Sequence, residues 1–410
     1  MTMAGSPVVV VDIGASKIHC LIGEGLPDGV SVRILGSGHS PCRGIRRNSV
    51  IDMPRVVEAI RDAVAAAERS AALKVTGAFV GIGGGEGIEI QTSKSAVAVS
   101  GLSQPIDERD VQRAVAAAEQ ASPPSNGLVL HRFVQSYTVD GEPVHNPLWL
   151  HGNRLEVETL SASAAGNLCT TLERAVSEAG LAVAGFVLEP VAIGRALLSP
   201  EEREMGVGII DFGAGTTDLA VHRGNLRHVA EIAFGCEDIT RDLSVVLNIS
   251  PREAEELKHQ HGCVCCSAED GDEPISFSTT SGRTHSLLRH QLSEIIEARQ
   301  QEILEFVARE VRDSGCSSML AAGVVFTGGG SLLANLAQLG EEILGVPVRI
   351  GAAQDVLSAE HMNDPRCTTA VGLLQFAAHG QADFAEEFLH HPSGAQTGIM
   401  NRITKLFSFL

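Results

Sequence analysis

The chain has 410 residues, 44% of them apolar and 20% charged, and a net charge of −19. That length supports more than one packed core, and the acidic balance excludes broad nucleic-acid binding, which needs a basic face. No apolar run reaches the ~20 residues that span a bilayer, Met1–Pro7 lacks the layout of a secretory signal, and nine scattered cysteines point to a reducing cytoplasm.

In chain order, Val8–Val11 reads as a buried strand that runs into Asp12-Ile13-Gly14-Ala15-Ser16-Lys17, and Ile18–Gly23 and Val30–Gly38 read as further strands. An Ala-rich helix is expected over Pro54–Ala72. A strand over Ala78–Ile82 is closed by Gly83-Gly84-Gly85. Asp107 is placed to cap a helix ending at Ala121, and Val129–Val139 and Arg154–Ser163 read as strands. Residues 86–164 thus form a small α+β insertion. A helix over Asn167–Ala179 stops at Gly180, and a strand over Val183–Leu188 leads into Glu189-Pro190 and a short helix to Leu198. A second apolar run, Gly208–Ile210, ends in Asp211-Phe212-Gly213-Ala214-Gly215-Thr216-Thr217-Asp218. Ser250-Pro251-Arg252-Glu253 reads as a capping box with Pro at the first helical position, and Cys263–Arg283 as irregular. A long amphipathic helix follows over Ser286–Asp313, then a strand over Val324–Thr327, a turn at Gly328–Ser331 and a helix over Leu332–Leu344. Thr368–Ala378 is the last core helix, and Gln381–Gly398 a linker.

The echo between Asp12–Lys17 and Asp211–Asp218 carries most of the chemistry. A turn of Gly and small hydroxyl residues lets backbone N–H groups face anionic oxygens without intervening Cβ atoms. A carboxylate at each strand end repels phosphate but holds Mg²⁺ or its waters, and the metal bridges to the phosphates. Two such units facing one another make a clamp for a metal-bound phosphate chain.

The ordered set of motifs resembles the actin/sugar-kinase/heat-shock-70 ATPase superfamily. Asp12–Lys17 and Asp211–Asp218 resemble its two phosphate motifs, and Thr327–Ser331 its adenosine motif. Leu188-Glu189-Pro190 and Ala370-Val371-Gly372 resemble its two connecting helices. Within that superfamily the chain resembles the FtsA family of bacterial cell-division proteins. That likeness rests on the insertion at 86–164, on Asn146-Pro147-Leu148 with Arg154-Leu155-Glu156-Val157 inside it, and on the amphipathic carboxyl end. The resemblance implies a two-lobed, actin-like α/β ATPase fold with ribonuclease-H-like cores. Residues 1–85 and 165–204 would form the first lobe, with 86–164 inserted. Residues 205–240 and 321–380 would form the core of the second lobe, and 241–320 its outer subdomain. Residues 381–397 would be a flexible linker and 398–410 a membrane-targeting helix.

The same resemblance implies roles. Asp12 and Asp211 would approach Mg²⁺ from opposite sides. Gly14, Ala15, Ser16 and Lys17 would line the β- and γ-phosphates of ATP, and Gly213, Ala214, Gly215, Thr216 and Thr217 would close over them. Glu255 and Lys258, three apart on one helical face, would touch ribose and base, or else form a solvated salt bridge. Gly328, Gly329, Gly330 and Ser331 would admit the adenine. Glu189 would orient an attacking water, or else be a helix N-terminal carboxylate favoured by the macrodipole. Ala214 stands where relatives usually have Gly, and any hydrolysis is expected to be slow. Polymerisation on the inner face of the membrane, tethering of the C-terminal tail of the tubulin-like FtsZ at 240–320, and recruitment of later division proteins through the insertion are implied as well. A scaffold of pilus assembly or cell shape is the nearest alternative. A sugar kinase is a further one, although no acceptor-facing Asp motif is evident.

At the carboxyl end Ile399, Met400, Ile403, Leu406, Phe407 and Leu410 recur at helical spacing, with Arg402 and Lys405 off the stripe. A basic amphipathic helix in so acidic a chain suits anionic lipids. The cluster His259, His261, Cys263, Cys265 and Cys266 lacks a second ligand pair at zinc spacing, and His390-His391 reads as solvated. Trp149 and Tyr137 read as packing residues of the insertion.

Overall fold

The computed structural model describes residues 7–99, 105–121, 127–266, 273–358 and 362–388. Two sheets share one strand order. The first runs 182–188, 77–82, 8–13, 17–25, 32–41, with 356–357 at its edge; the second runs 225–232, 217–223, 207–212, 324–327, 348–350. In each, the strand with an aspartate one residue from its end is central. It pairs antiparallel with the strand after its turn and parallel with one that arrives by a crossover. Val10, Val11, Ile209 and Ile210 are covered on both sheet faces. That double burial is why these strands read as unbroken apolar runs.

Ten helices are described: α1 (Met53–Ala71), α2 (Glu108–Ala121), α3 (Gly166–Glu178), α4 (Glu189–Leu197), α5 (Pro200–Met205), α6 (Cys236–Leu247), α7 (Pro251–His261), α8 (Arg289–Asp313), α9 (Leu336–Leu344) and α10 (Thr368–Phe388). Asp52 caps α1, accepting the Arg55 N–H at 3.3 Å. α1 packs close on the first sheet because Gly36 and Gly38 bring strand backbone against the Ala67 and Ala63 carbonyls. On the other face α10 buries Val371, Leu373 and Leu374 among Val10, Leu21 and Val187. It crosses α4 where Gly372 lies on the Ala192 carbonyl, a contact that leaves no room for a side chain.

The insertion is a four-stranded antiparallel sheet, ordered 88–98, 154–165, 127–139, 142–144, with α2 on one face. Its base joins the second lobe: Phe133, Leu160 and Ala162 pack with Ile209, Ala220 and Leu226. Asn225 Nδ2 donates to the Val134 carbonyl at 2.8 Å, and Gln135 Nε2 to that of Leu226 at 3.0 Å.

Several expectations need correction. Residues 88–98 form a long strand that the sequence does not announce, because its faces alternate half-buried and exposed rather than apolar. The stretch read as irregular contains strand Pro274–Ser278, which pairs with Thr284–Leu288, so α8 begins at Arg289 rather than Ser286. α9 begins at Leu336, since Gly329–Leu332 is a 3₁₀ turn and Asn335 is left-handed with φ 65°. α10 runs to Phe388, into the expected linker. Ser250 does accept the Glu253 N–H at 3.2 Å, but Glu253 turns its carboxylate to the Ser278 N–H at 2.7 Å, so the box is half formed. Trp149 is 78% exposed: its backbone is left-handed, and Leu148 rather than Trp149 turns toward the insertion's core. Tyr137 does pack there. The tail residues 398–410, including Ile399, Met400, Arg402, Ile403, Lys405, Leu406, Phe407 and Leu410, and also His390-His391, lie outside the described residues.

Candidate functional site

The two sheets bring their aspartate-tipped hairpins together. Each turn closes with the same hydrogen bond, Gly14 N–H to the Lys17 carbonyl at 3.1 Å and Gly213 N–H to that of Thr216 at 3.0 Å. The turns face one another so closely that a methyl group on Gly215 would lie 3.3 Å from the Ala15 Cβ. Antiparallel register then sets Asp12 beside His19 and Asp211 beside Asp218.

Asp211 is framed by the second lobe's glycine loop and by α10. The Gly328 backbone, at φ 80°, lies directly against its carboxylate, and the Thr369 hydroxyl donates to it at 3.4 Å. The Lys17 ammonium donates to the Arg366 carbonyl at 2.9 Å. Ser16 is exposed at the turn, while Thr216 and Thr217 are buried. The Thr217 hydroxyl donates to the Phe234 carbonyl at 2.9 Å, which fixes the turn to the segment leading into α6. Gly213 and Ala214 carbonyls accept the N–H groups of Cys236 and Glu237 at 3.0 and 2.9 Å. Ala214 is therefore held by its backbone, with a methyl group that the turn accommodates.

Glu189 is the first residue of α4, at the end of strand 182–188, and Gly81 and Gly83 line a small pocket beside it with Asn48. The space there, about 20 Å³, suits one water. Burial raises its pKa well above the carboxylate range, reinforced by Asp12, Asp218, Asp211 and Glu231. Burial also pushes Asp12 up to about 6 against the pull of Lys17. Asp211 rises to about 6 through burial and then Asp12, and Asp218 rises well above normal through burial, Asp211 and Glu231. Four shielded carboxyl groups, with Lys17 acting on Asp12 and Asp211, make a site that favours a cation. Among the described residues no three His, Cys, Asp or Glu side chains converge on one metal position. Mg²⁺ fits such a site, because it commonly keeps several waters and completes its shell from substrate phosphates.

On the far side, Glu255 and Lys258 of α7 form a salt bridge that is covered at its lysine end and 41% exposed at its carboxylate. Lys258 Nζ, on a side chain 10% exposed, donates to Glu255 Oε2 at 2.8 Å, to the Thr240 hydroxyl at 2.8 Å and to the Cys236 carbonyl at 3.0 Å. Thr240 also donates to Glu255. Cys236 in turn lies against Gly330, so this network borders the glycine loop. Gly329 is exposed there, while the Ser331 hydroxyl is buried and donates to the Gly328 carbonyl at 2.8 Å. Cys263 and Cys266 bring their sulfur atoms together beyond α7.

Sequence reasoning gave no role to Asp218, Glu231, Arg47, Asn48 or Thr369. Asp218 was accessible: a hairpin with a turn at 213–216 must pair 211 with 218. Glu231 and Asn48 carry no sequence signal, since they meet across 183 residues in a hydrogen bond between the lobes.

Comparison with known proteins agrees with this geometry. Residues 208–372 match the family model described as cell division protein FtsA, and residues 85–161 the SHS2 domain inserted in FtsA. The cell division protein FtsA of Pseudomonas aeruginosa is 33% identical over 384 residues, covering 93% of this chain and 91% of that protein. That of Bacillus subtilis is 34% identical over 372 residues, covering 90% of this chain and 83% of that protein. Among solved structures, a PilM-PilN type IV pilus biogenesis complex aligns with TM-score 0.61 at 17% identity, over 90% of this chain and 98% of that one. MreB5 of Spiroplasma citri bound to ADP aligns with TM-score 0.58 at 13% identity, over 92% of this chain and 98% of that one. The chain has the actin-like fold.

Proposed function

Since the chain belongs to the FtsA family of cell division proteins, we propose that it is an ATP-binding, actin-like scaffold of division on the inner face of the membrane. The observation that carries the nucleotide reading is the closed pair of turns, with Asp12 and Asp211 at their bases and a surplus of shielded carboxyl groups between the lobes. Bound Mg²⁺ supplies positive charge to the triphosphate. The chain's own residues do the rest. Asp12 and Asp211 would hold the ion's waters, and N–H groups at 14–17 and 213–217 would donate to the phosphate oxygens. Lys17 neutralises charge, and Glu255 and Lys258 meet the ribose and base. Gly328, Gly329, Gly330 and Ser331 form the wall against the adenine. Glu189, whose pKa burial and then the neighbouring carboxylates raise, would orient an attacking water more effectively once bound cations offset that rise.

Residues 398–410 would dock on anionic lipid. Burying six apolar side chains yields at most about 1.5–3 kcal/mol each, against ordering costs of about 1–2 kcal/mol per residue. One tail is therefore weak, and a filament of this chain would bind by avidity. The FtsZ tail is assigned to the outer subdomain at 241–320, and later division proteins to the insertion. Titrating Mg-ATP into the chain and its Asp12→Ala variant tests the cleft: saturable binding by the wild type, weakened in the variant, is expected. Equal affinity would end this reading.

A further inference from the structure

Strands Ile45–Arg46 and Ser49–Val50 form a tight hairpin, with Ile45 opposite Val50 and Arg46 opposite Ser49. Its two-residue tip is Arg47-Asn48, at φ 47° and 57°. A two-residue tip needs both residues in the left-handed region, where Asn is tolerated and Gly is preferred, but Arg is costly. A side chain kept in a costly conformation points to a local role.

Both tip residues reach from the first lobe to the second. The Asn48 amide donates to the Glu231 carboxylate on strand 225–232. The Arg47 guanidinium carbon lies 5.9 Å from the centre of the Phe234 ring. The Arg47 backbone nitrogen lies 3.4 Å from where a methyl group on Gly215 would stand, so the tip covers the phosphate-type turn itself. Phe234 holds that turn through the Thr217 hydroxyl. Glycines clear the path: a side chain at Gly83 would strike the Asn48 amide at 2.7 Å, and one at Gly85 would strike the Glu231 carboxylate.

We propose that the 45–50 hairpin is an interlobe latch, in which Asn48 clasps Glu231 and Arg47 clasps Phe234, and that it sets how fast the cleft releases its nucleotide. This rests on the reading of the cleft as a nucleotide site. The two lobes separate only if both contacts open, and the hairpin tip stands over the space between the turns. Release then requires unlatching.

The test is stopped-flow release of a fluorescent ATP analogue with Mg²⁺ from the full chain. Asn48→Gly removes the amide while relaxing the tip, so the turn still forms. Asn48→Gly and Glu231→Ala should each speed release about tenfold, the cost of losing a hydrogen bond to a carboxylate. The double variant should release no faster than either single one, because both remove one contact. Glu231→Gln, which drops the charge but keeps an acceptor, should stay within about twofold of wild type. Singles that release at the wild-type rate, or effects that multiply in the double variant, overturn the latch. A wild-type chain that binds no Mg-ATP overturns the nucleotide reading and the latch together; that outcome is distinct from normal binding with unchanged release.

Discussion

Replacing Asp211 by Asn should stabilise the nucleotide-free chain and weaken its hold on Mg-ATP. Asn fills the same space against Gly328 and keeps an acceptor for the Thr369 hydroxyl. Burial, with Asp12 adding to it, lifts the Asp211 pKa from 3.8 to about 6. At about 1.4 kcal/mol per unit, the ionised carboxylate costs up to about 3 kcal/mol at neutral pH. The sign follows from proton binding. Between about pH 4 and 6 the folded chain keeps a proton that the unfolded chain has released, so rising pH lowers stability across that window. The cost is absent below it and complete above it. Thermal melting at pH 7.5 should therefore place the variant roughly 2–4 °C above wild type for a chain of this size, and the gap should close near pH 4. Adding Mg-ATP should reverse the order. Ligand at a hundredfold its Kd stabilises wild type by about 2.7 kcal/mol, and the variant by much less. A variant no more stable at pH 7.5, or one whose advantage grows in acid, would rule out a buried-charge cost at Asp211.

Three other outcomes are expected. Deleting residues 398–410 should abolish co-sedimentation with anionic vesicles and leave Mg-ATP binding intact; a truncated chain that still pellets contradicts the tail's role. Gly328→Ala drives a methyl group into Asp211 at a φ of 80°, so it should cost at least about 1–3 kcal/mol in urea unfolding and abolish nucleotide binding. Lys258→Ala leaves Glu255 and Thr240 without their shared donor. It should weaken ATP binding about tenfold by titration calorimetry, and affinity for free triphosphate should change little.

The sequence made the clamp legible because its strands are buried on both faces and its turns need Gly. Apolar runs such as Val8–Val11, punctuated by Asp-x-Gly, leave few other readings. Strands 88–98 and 274–278 were less legible. Their alternation is diluted by Gln91, Thr92 and Lys94 in one case and confined to Ile275 and Phe277 in the other. Trp149 was misread because aromatic character alone predicts burial, whereas a left-handed turn decided which side chain faced inward. Asn48 and Glu231 had no local signature at all, since their meaning comes from the approach of two lobes. Glu189 is legible from its place at a strand end, but its raised pKa comes first from burial and then from carboxylates far apart in the chain.

A crystal structure of the chain with Mg²⁺ and a non-hydrolysable ATP analogue would show directly whether the two turns grip a triphosphate. The triphosphate should lie between the 14–17 and 213–217 turns, with the metal between Asp12 and Asp211. Nucleotide bound at any other place, or density for none at saturating concentration, would rule out the clamp.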